Sequence, residues 1–111
     1  MLIGTRNLKL RKADRDVDVL VELFSPECAD DGTWFCNYRI GWPEGRWESR
    51  AGGVDSIQAL VLALQMIGSD VNTSNYRKSG QLYLDAPGRG YGFPVPPTLR
   101  DLLVGDDKTF L

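Results

Sequence analysis

Apolar and polar residues alternate through the first half of this chain with the period of two that is typical of β-strands. Leu8 and Leu10 alternate with charged neighbours inside a first strand predicted over residues 2–12. The run over residues 17–24 is rich in valine and is the clearest strand of the chain. The same alternation predicts strands over residues 33–41 and 46–51, with a Trp-Pro-Glu-Gly turn between them. Because the connections are short, these four strands predict an antiparallel meander.

A long helix is predicted directly after the pair Gly52-Gly53. Asp55 has the side chain of an N-cap residue, and Gln58 lies three positions later, where it can complete a capping box. From there the chain is apolar on almost every side. We expect the large apolar residues that recur at helical spacing to face the sheet; they are Ile57, Leu60, Val61, Leu64, Ile67 and Val71. The polar run 72–75 contains poor helix formers, so the helix should fray before residue 80.

A fifth strand is predicted over residues 81–85, followed by a loop rich in glycine and proline over residues 86–97. Thr98 can cap a short final helix that runs through Leu103, and residues 106–111 read as a loose tail. The sequence therefore predicts a single α+β domain over residues 1–105. Its antiparallel sheet of about five strands follows the order β-β-β-β-α-β, with one long helix packed on one face and a short C-terminal helix. The order of the strands in space stays open.

The charge of the chain is small overall but unevenly distributed. The formal net charge is −2, which does not favour nucleic acid or an anionic membrane as a partner. Residues 1–15 hold five cations and one acid, whereas residues 16–31 hold six acids and no cation. We expect the first two strands to pair these opposite charges across an exposed face. No apolar run is long enough for a signal peptide or a membrane span, so the expected location is the cytoplasm.

The equipment for common catalytic mechanisms is missing from the sequence. The chain has no histidine, which excludes the Ser-His and Cys-His nucleophile pairs and imidazole metal ligands. Its two cysteines, Cys28 and Cys36, lack the C-x-x-C spacing of zinc and redox sites. Neighbouring carboxylates lie in predicted turns without the spacing of a calcium loop. We therefore predict no catalytic residue, metal or cofactor, and favour a role other than that of an enzyme.

The hairpin of the third and fourth strands carries the first group of candidate binding residues. Trp42, Arg46 and Trp47 lie close together in sequence, and Arg39 is near them. Tryptophan and arginine are frequent anchors of protein interfaces, and surfaces of this composition also stack nucleobases. The alternative is that both indoles cover the second face of the sheet. Both interpretations stay open, and an uncovered face would need a partner protein or a second copy of the chain.

The glycine-rich segment 86–94 is the second candidate. Its glycines can expose backbone N–H groups to an anion, and Arg89 adds a positive charge. A dinucleotide fingerprint requires a helix directly after such a loop, whereas this chain continues with Pro94-Val95-Pro96-Pro97. A structural loop across the end of the sheet is the favoured interpretation.

Three landmarks of the sequence resemble those of a family of short, uncharacterised bacterial proteins. They are the strand Trp34-x-Cys36-x-Tyr38-x-Ile40, the helix that begins Gly53-Val54-Asp55-Ser56-Ile57-Gln58, and the loop Gly92-Phe93-Pro94. The resemblance extends roughly from Leu2 to Pro97. It implies a bacterial, cytoplasmic, self-contained domain, and it brings no activity, cofactor or catalytic residue.

Two classes of function follow from these observations. The first is a protein-binding or self-associating module that uses the Trp/Arg hairpin. The second is a small-molecule or nucleotide-binding domain built around the 86–94 loop with Arg39 or Arg89. Binding of RNA is disfavoured because the basic N-terminal strand lies beside an acidic one.

Overall fold

An antiparallel sheet forms the body of the protein in the computed structural model, which describes residues 1–111. The strands are β1 (Leu2–Arg11), β2 (Asp16–Phe24), β3 (Glu27–Cys28), β4 (Trp34–Trp42), β5 (Gly45–Gly53) and β6 (Leu82–Tyr83). The helices are α1 (Ser56–Asn72), α2 (Asn75–Lys78), a 3-10 helix (Pro97–Leu102) and α3 (Asp107–Phe110). Every strand pair is antiparallel, so the predicted α+β class is confirmed. No helix has both the length and the apolar character needed to cross a membrane.

The strands lie in the spatial order β5-β4-β2-β1-β6. Because β5 pairs with β4 along its whole length, β2 and β3 must share the other edge of β4. The short strand β3 follows β2 after Ser25-Pro26, and proline cannot donate to a ladder. The short strand β3 thus lies in a segment that the sequence predicts as a loop, and β5 is at the edge of the sheet.

The core lies between the sheet and two parts of the chain that pack against it, helix α1 and the segment 91–103. Helix α1 covers β4 and β5. The segment 91–103 contributes further buried apolar side chains; they are Tyr91, Phe93, Val95 and Leu103. Phe93 lies beside Val21 and Leu23 of β2, and Val95 lies against Gly68 of α1. The strands contribute buried side chains at alternate positions; they are Leu8, Leu10, Val19, Val21, Cys36, Tyr38 and Ile40. This alternation is the pattern from which the strands were predicted.

Small residues form the buried face of α1 in its first half, whereas the predicted large residues Ile67 and Val71 are fully buried in its second half. Ala59 and Ala63 are fully buried, whereas Ile57 is 72% exposed and Val61 is 45% exposed. A Cβ on Gly53 would lie 2.6 Å from the backbone nitrogen of Ala59, so the helix backbone rests almost directly on β5. This close approach leaves no room for large side chains beneath the first turns of the helix. The expectation that Ile57 and Val61 face the sheet is therefore wrong.

The predicted N-terminal cap of α1 is present. The Asp55 carboxylate accepts a hydrogen bond of 2.8 Å from the Gln58 amide, and the Gln58 side chain accepts one of 2.7 Å from the amide of Val54. At the other end, α1 stops at Asn72, and Ser74 caps the separate helix α2. The polar run therefore ends the helix sharply, where the sequence had predicted fraying.

The C-terminal segment differs in two details from its prediction. The helix predicted to begin at Thr98 is a 3-10 helix without a side-chain cap, and it begins with Pro97 at its first position. Residues 106–111, predicted as a loose tail, include the single turn α3. In that turn Asp107 is only 6% exposed, and its carboxylate accepts a hydrogen bond of 3.0 Å from the Gly92 amide.

Candidate functional site

The candidate residues of the β4–β5 hairpin are divided between the two faces of the sheet. Ile40 pairs with Trp47, and Gly41 pairs with Arg46. Since successive residues of a strand point to opposite faces, Trp47 lies with buried Ile40 on the helix side. Trp42 shares that side, whereas Arg39 and Arg46 lie on the other. The structure thus does not bring the indoles and the guanidinium groups together, and the indoles do not cover the second face.

Paired charges and stacked side chains cover that second face. Arg39 lies 3.3 Å from the Glu22 carboxylate and 3.8 Å from the Glu48 carboxylate, and Arg46 lies 3.1 Å from Glu48. The Arg39 guanidinium also lies 4.6 Å from the centre of the Phe24 ring. These arginines are engaged by their own chain, which makes this face a solvated surface rather than an apolar one.

The expected pairing of the basic first strand with the acidic second strand occurs on the same face. The Lys9 ammonium donates to the Asp18 carboxylate, and Asn7 donates to the same oxygen at 3.2 Å. The hydrogen bond from Lys9 lowers the pKa of Asp18, and the same bond raises the pKa of Lys9. The prediction is confirmed at this pair.

The helix side of the hairpin contains a cleft of about 390 Å³ beside Trp47. The cleft is lined by Trp42, Glu44, Trp47, Asp70, Thr73, Ser74, Asn75 and Tyr76. The rings of Trp42 and Tyr76 stack with their centres 5.4 Å apart, while half of the Trp47 surface is exposed. We call these eight residues the indole cleft. It lies between the β4–β5 turn and the junction of α1 with α2.

Two hydrogen bonds of 2.5 Å fix the carboxylates of the indole cleft. The buried Tyr38 hydroxyl donates to Asp70, and the Tyr76 hydroxyl donates to Glu44. Burial, reinforced by the bond to Asp70, raises the pKa of Tyr38 to about 12. The bond from Tyr76 lowers the pKa of Glu44. Each carboxylate uses one oxygen in these bonds, so its position is defined before any ligand arrives.

The outer edge of β5 forms a second feature of this site. Ala29 donates its backbone N–H to Thr33, so odd-numbered residues of β4 direct their backbone groups toward β3 and β2. The even-numbered residues of β4 therefore bond to β5, where their partners include Trp47 and Ser49. The backbone groups that point away from the sheet belong to the residues between these partners; they are Arg46, Glu48, Arg50 and Gly52.

The glycine-rich loop is held by the chain's own carboxylates. Arg89 lies 2.9 Å from Asp106, and the Gly92 amide donates to Asp107. A Cβ on Gly90 would fall 2.2 Å from the carboxyl carbon of Asp107, so a side chain at this position would collide with the carboxylate. From the other side, Arg6 donates to the Gly92 carbonyl at 2.9 Å. These contacts support the interpretation of a structural loop.

Six of the eight residues of the indole cleft were missed by sequence reasoning, among them Glu44, Asp70 and Tyr76. A signal existed for Asp70, because it is the only charged residue within α1. Glu44 lies in the predicted Trp-Pro-Glu-Gly turn, and Tyr76 follows the polar run 72–75, where apolar residues do not recur at the spacing of a helix or a strand. Their proximity depends on contacts between residues 32 positions apart.

Comparison with known proteins gives a family without a function. Residues 4–95 match the family model described as domain of unknown function DUF6968. The chain belongs to this family. The expected resemblance to an uncharacterised family is thus confirmed, and the matched part of the DUF6968 domain contains the indole cleft and the free edge of β5. No curated protein and no solved structure matches the chain.

Proposed function

We propose that this DUF6968 domain is a protein-binding module that adds an extended segment of its partner to the free edge of β5. The observation that carries the proposal is Trp47, a half-exposed indole on an edge strand whose outer backbone groups are unpaired. Strand addition is a common mode of peptide recognition, in which backbone hydrogen bonds supply affinity and alternate side chains supply specificity.

The length of the free edge supports this function. Strand β5 has nine residues, about the length of a whole strand in an ordinary sheet or longer. Natural proteins protect exposed edges with charges, prolines or covering elements. Arg46, Glu48 and Arg50 place charges of both signs along this edge, so they oppose indiscriminate pairing while allowing a partner of complementary charge.

The neighbouring flank of α1 offers a surface for the partner's side chains. Leu62 and Met66 follow each other at a spacing of four residues and lie in line with Asp70 of the indole cleft. Leu62 is 36% exposed, and Met66 is partly buried. Side chains of an added strand that point to the helix side would meet Trp47 and this apolar flank.

A second copy of the chain is a specific candidate for the partner. In an antiparallel pair of β5 strands centred on Trp47, each Arg46 would lie opposite Glu48 of the other copy. Opposite charges at directly facing positions stabilise such a pair. The alternative of a nucleotide site in the 86–94 loop receives less support, because Arg89 and the Gly92 amide already bind carboxylates of the chain.

A bacterial cytoplasm is the setting we propose for this activity. Both cysteines are free thiols, with Cys28 exposed and Cys36 buried. Free thiols suit a reducing compartment. The bacterial assignment follows from the resemblance of the sequence landmarks.

Selection of peptides from a phage-displayed random library on the immobilised domain tests the function. The affinity of a selected peptide is then measured by calorimetry for the wild type, Trp47→Ala, Arg50→Pro and Arg50→Ala. Proline at position 50 removes an outward N–H without removing a bond to β4, and alanine removes only the side chain. Ile57→Ala, a second exposed apolar truncation on a different surface, is the control for Trp47→Ala.

We expect Arg50→Pro and Trp47→Ala to weaken binding by about tenfold or more, and Arg50→Ala and Ile57→Ala to change it little. Circular dichroism of each variant verifies that the fold is retained. Equal binding by Arg50→Pro and Arg50→Ala would contradict strand addition. Light scattering after size-exclusion chromatography reports the second copy, since a dimer centred on Trp47 should dissociate in Glu48→Pro, which removes an outward N–H within the paired residues 45–49.

A further inference from the structure

We infer that the indole cleft binds an organic cation, an ammonium or guanidinium group, supplied either by a lysine or arginine of a partner or by a small molecule. The inference deepens the proposed function, and rests on it where the cation belongs to a partner protein. Three independent properties of the cleft support it: its aromatic lining, its charge and its size.

The aromatic lining is suited to a positive charge. Trp42, Trp47 and Tyr76 all line the cleft, and the stack of Trp42 on Tyr76 fixes two of these rings. The face of an aromatic ring carries a negative quadrupole that attracts cations, most strongly in tryptophan. The fold already uses this interaction at the Tyr76 ring, since the ammonium of Lys12 lies 5.9 Å from its centre. Lys12 itself is not among the residues that line the cleft.

The charge of the lining points to the same ligand class. Glu44 and Asp70 contribute two carboxylates, and none of the eight lining residues is lysine or arginine. The tyrosine hydroxyls donate to both acids without neutralising them, and the bond from Tyr76 lowers the pKa of Glu44. A guanidinium group could bind the remaining carboxylate oxygens while stacking on an indole, a combination for which arginine is well suited.

The hydroxyl groups in the wall leave recognition to the carboxylates and rings. Thr73 donates to the Ser69 carbonyl at 2.7 Å, and Ser74 donates to the Val71 carbonyl at 2.8 Å. Both hydroxyls therefore donate to backbone carbonyls near the C-terminal end of α1. The cleft volume of about 390 Å³ lies at the small end of ligand sites and suits one side chain or one small cation.

Titration of the free domain with N-acetyl-arginine amide, followed by the indole N–H signal of Trp47 in NMR spectra, tests the inference. N-acetyl-citrulline amide is the matched neutral probe because it has nearly the same shape without the charge. Choline and guanidinium chloride are the small-molecule probes. The protein variants are Asp70→Asn, Glu44→Gln and Trp47→Ala, with Asp14→Asn in the β1–β2 turn as the control for loss of an acid.

We expect saturable binding of the arginine probe and binding of the citrulline probe about tenfold weaker or worse. Asp70→Asn and Glu44→Gln should each weaken binding of the arginine probe about fivefold, whereas Asp14→Asn should leave it unchanged. Glu44→Gln is the second acid variant because Asp70→Asn also alters the bond to Tyr38. Choline binding as tight as that of the arginine probe would identify a small cation as the ligand source.

Failure of this inference can be separated from failure of the proposed function. Arginine and citrulline probes of equal affinity, or no shift of the Trp47 signal with any cation, would overturn the cation site. Neither result depends on the edge of β5, which Arg50→Pro tests. Conversely, Arg50→Pro should bind the arginine probe like the wild type, because its change lies on the opposite face and outside the cleft.

Discussion

Tyr38 and Asp70 join the centre of β4 to the last turn of α1 through a hydrogen bond of 2.5 Å. Tyr38 is 1% exposed, and Asp70 is the only charged residue of the helix. The bond therefore gives a buried phenol its acceptor and positions a carboxylate at the wall of the indole cleft. One contact serves both the packing of the helix and the geometry of the candidate site.

The free energy of unfolding should fall at alkaline pH because Tyr38 is buried and bonded to Asp70. Burial raises the pKa of Tyr38 from 10.0 to about 12, so the folded state holds this proton more tightly than the unfolded state. The contribution to the free energy of unfolding is fully present below about pH 10 and is lost as pH rises toward 12. Its size is roughly 2–3 kcal/mol.

Urea unfolding of wild type and Tyr38→Phe between pH 8 and pH 12 (about the range in which tyrosines titrate) measures this contribution. The wild type should lose stability more steeply than the variant above about pH 10. Tyr83→Phe, which removes a phenol from the outer face, should keep most of the wild-type slope. Parallel pH profiles for wild type and Tyr38→Phe would show that the phenol is not coupled to folding.

Gly68→Ala should destabilise the fold although alanine favours helices. A Cβ at position 68 would lie 1.8 Å from the Pro94 carbonyl oxygen, which belongs to the backbone and cannot rotate away. The collision should outweigh the gain of about 1 kcal/mol in helix propensity and leave a net loss of about 1–3 kcal/mol. Urea unfolding checks the change. Gly4→Ala, where a Cβ meets nothing within 4 Å, is the control.

The carboxylate of Asp107 should matter more for stability than that of its neighbour Asp106. Asp107→Ala removes the acceptor of the Gly92 amide in a largely buried position, which should cost about 1–3 kcal/mol. Asp106→Ala breaks only the exposed pair with Arg89 and should change stability little. Thermal unfolding of both variants provides the comparison. Similar losses for both would indicate that α3 acts through charge rather than through the bond to Gly92.

Hydrogen exchange along β5 should alternate from residue to residue in the free monomer. The amides of Trp47, Ser49 and Ala51 bond to β4 and should exchange slowly. The amides of Arg46 and Glu48 face solvent and should exchange quickly, as should those of Arg50 and Gly52. NMR-detected exchange measures each amide. Slow exchange of all these amides at low protein concentration would mean that the edge is already covered.

Loss of the cap of α1 should have a moderate and specific cost. Asp55→Ala removes the acceptor of the Gln58 amide and should destabilise the domain by about 1 kcal/mol. Asp55→Ser retains an acceptor at the same position and should recover most of the loss. Chemical unfolding of the two variants distinguishes capping from a general effect of charge, because serine and alanine are both neutral.

The sequence by itself determined the secondary structure that depends on local spacing. Period-two alternation located the strands, and the spacing of Asp55 and Gln58 located the start of α1, because a strand or a cap is defined within a few residues. The same alternation implied that Trp47 and its neighbour Arg46 would point to opposite faces. The two residues are therefore adjacent in sequence but belong to different surfaces of the sheet.

The tertiary structure alone decided which residues meet. Ala59, not Ile57, faces the sheet because the helix backbone lies against Gly53, and the apolar periodicity of the helix does not record that distance. The indole cleft likewise depends on bonds that join Tyr38 to Asp70 and Glu44 to Tyr76 across 32 positions. Such contacts follow from the order of the strands and the placement of α1 over β4 and β5. No short-range pattern specifies that arrangement, because it is the packing of the whole core that selects it.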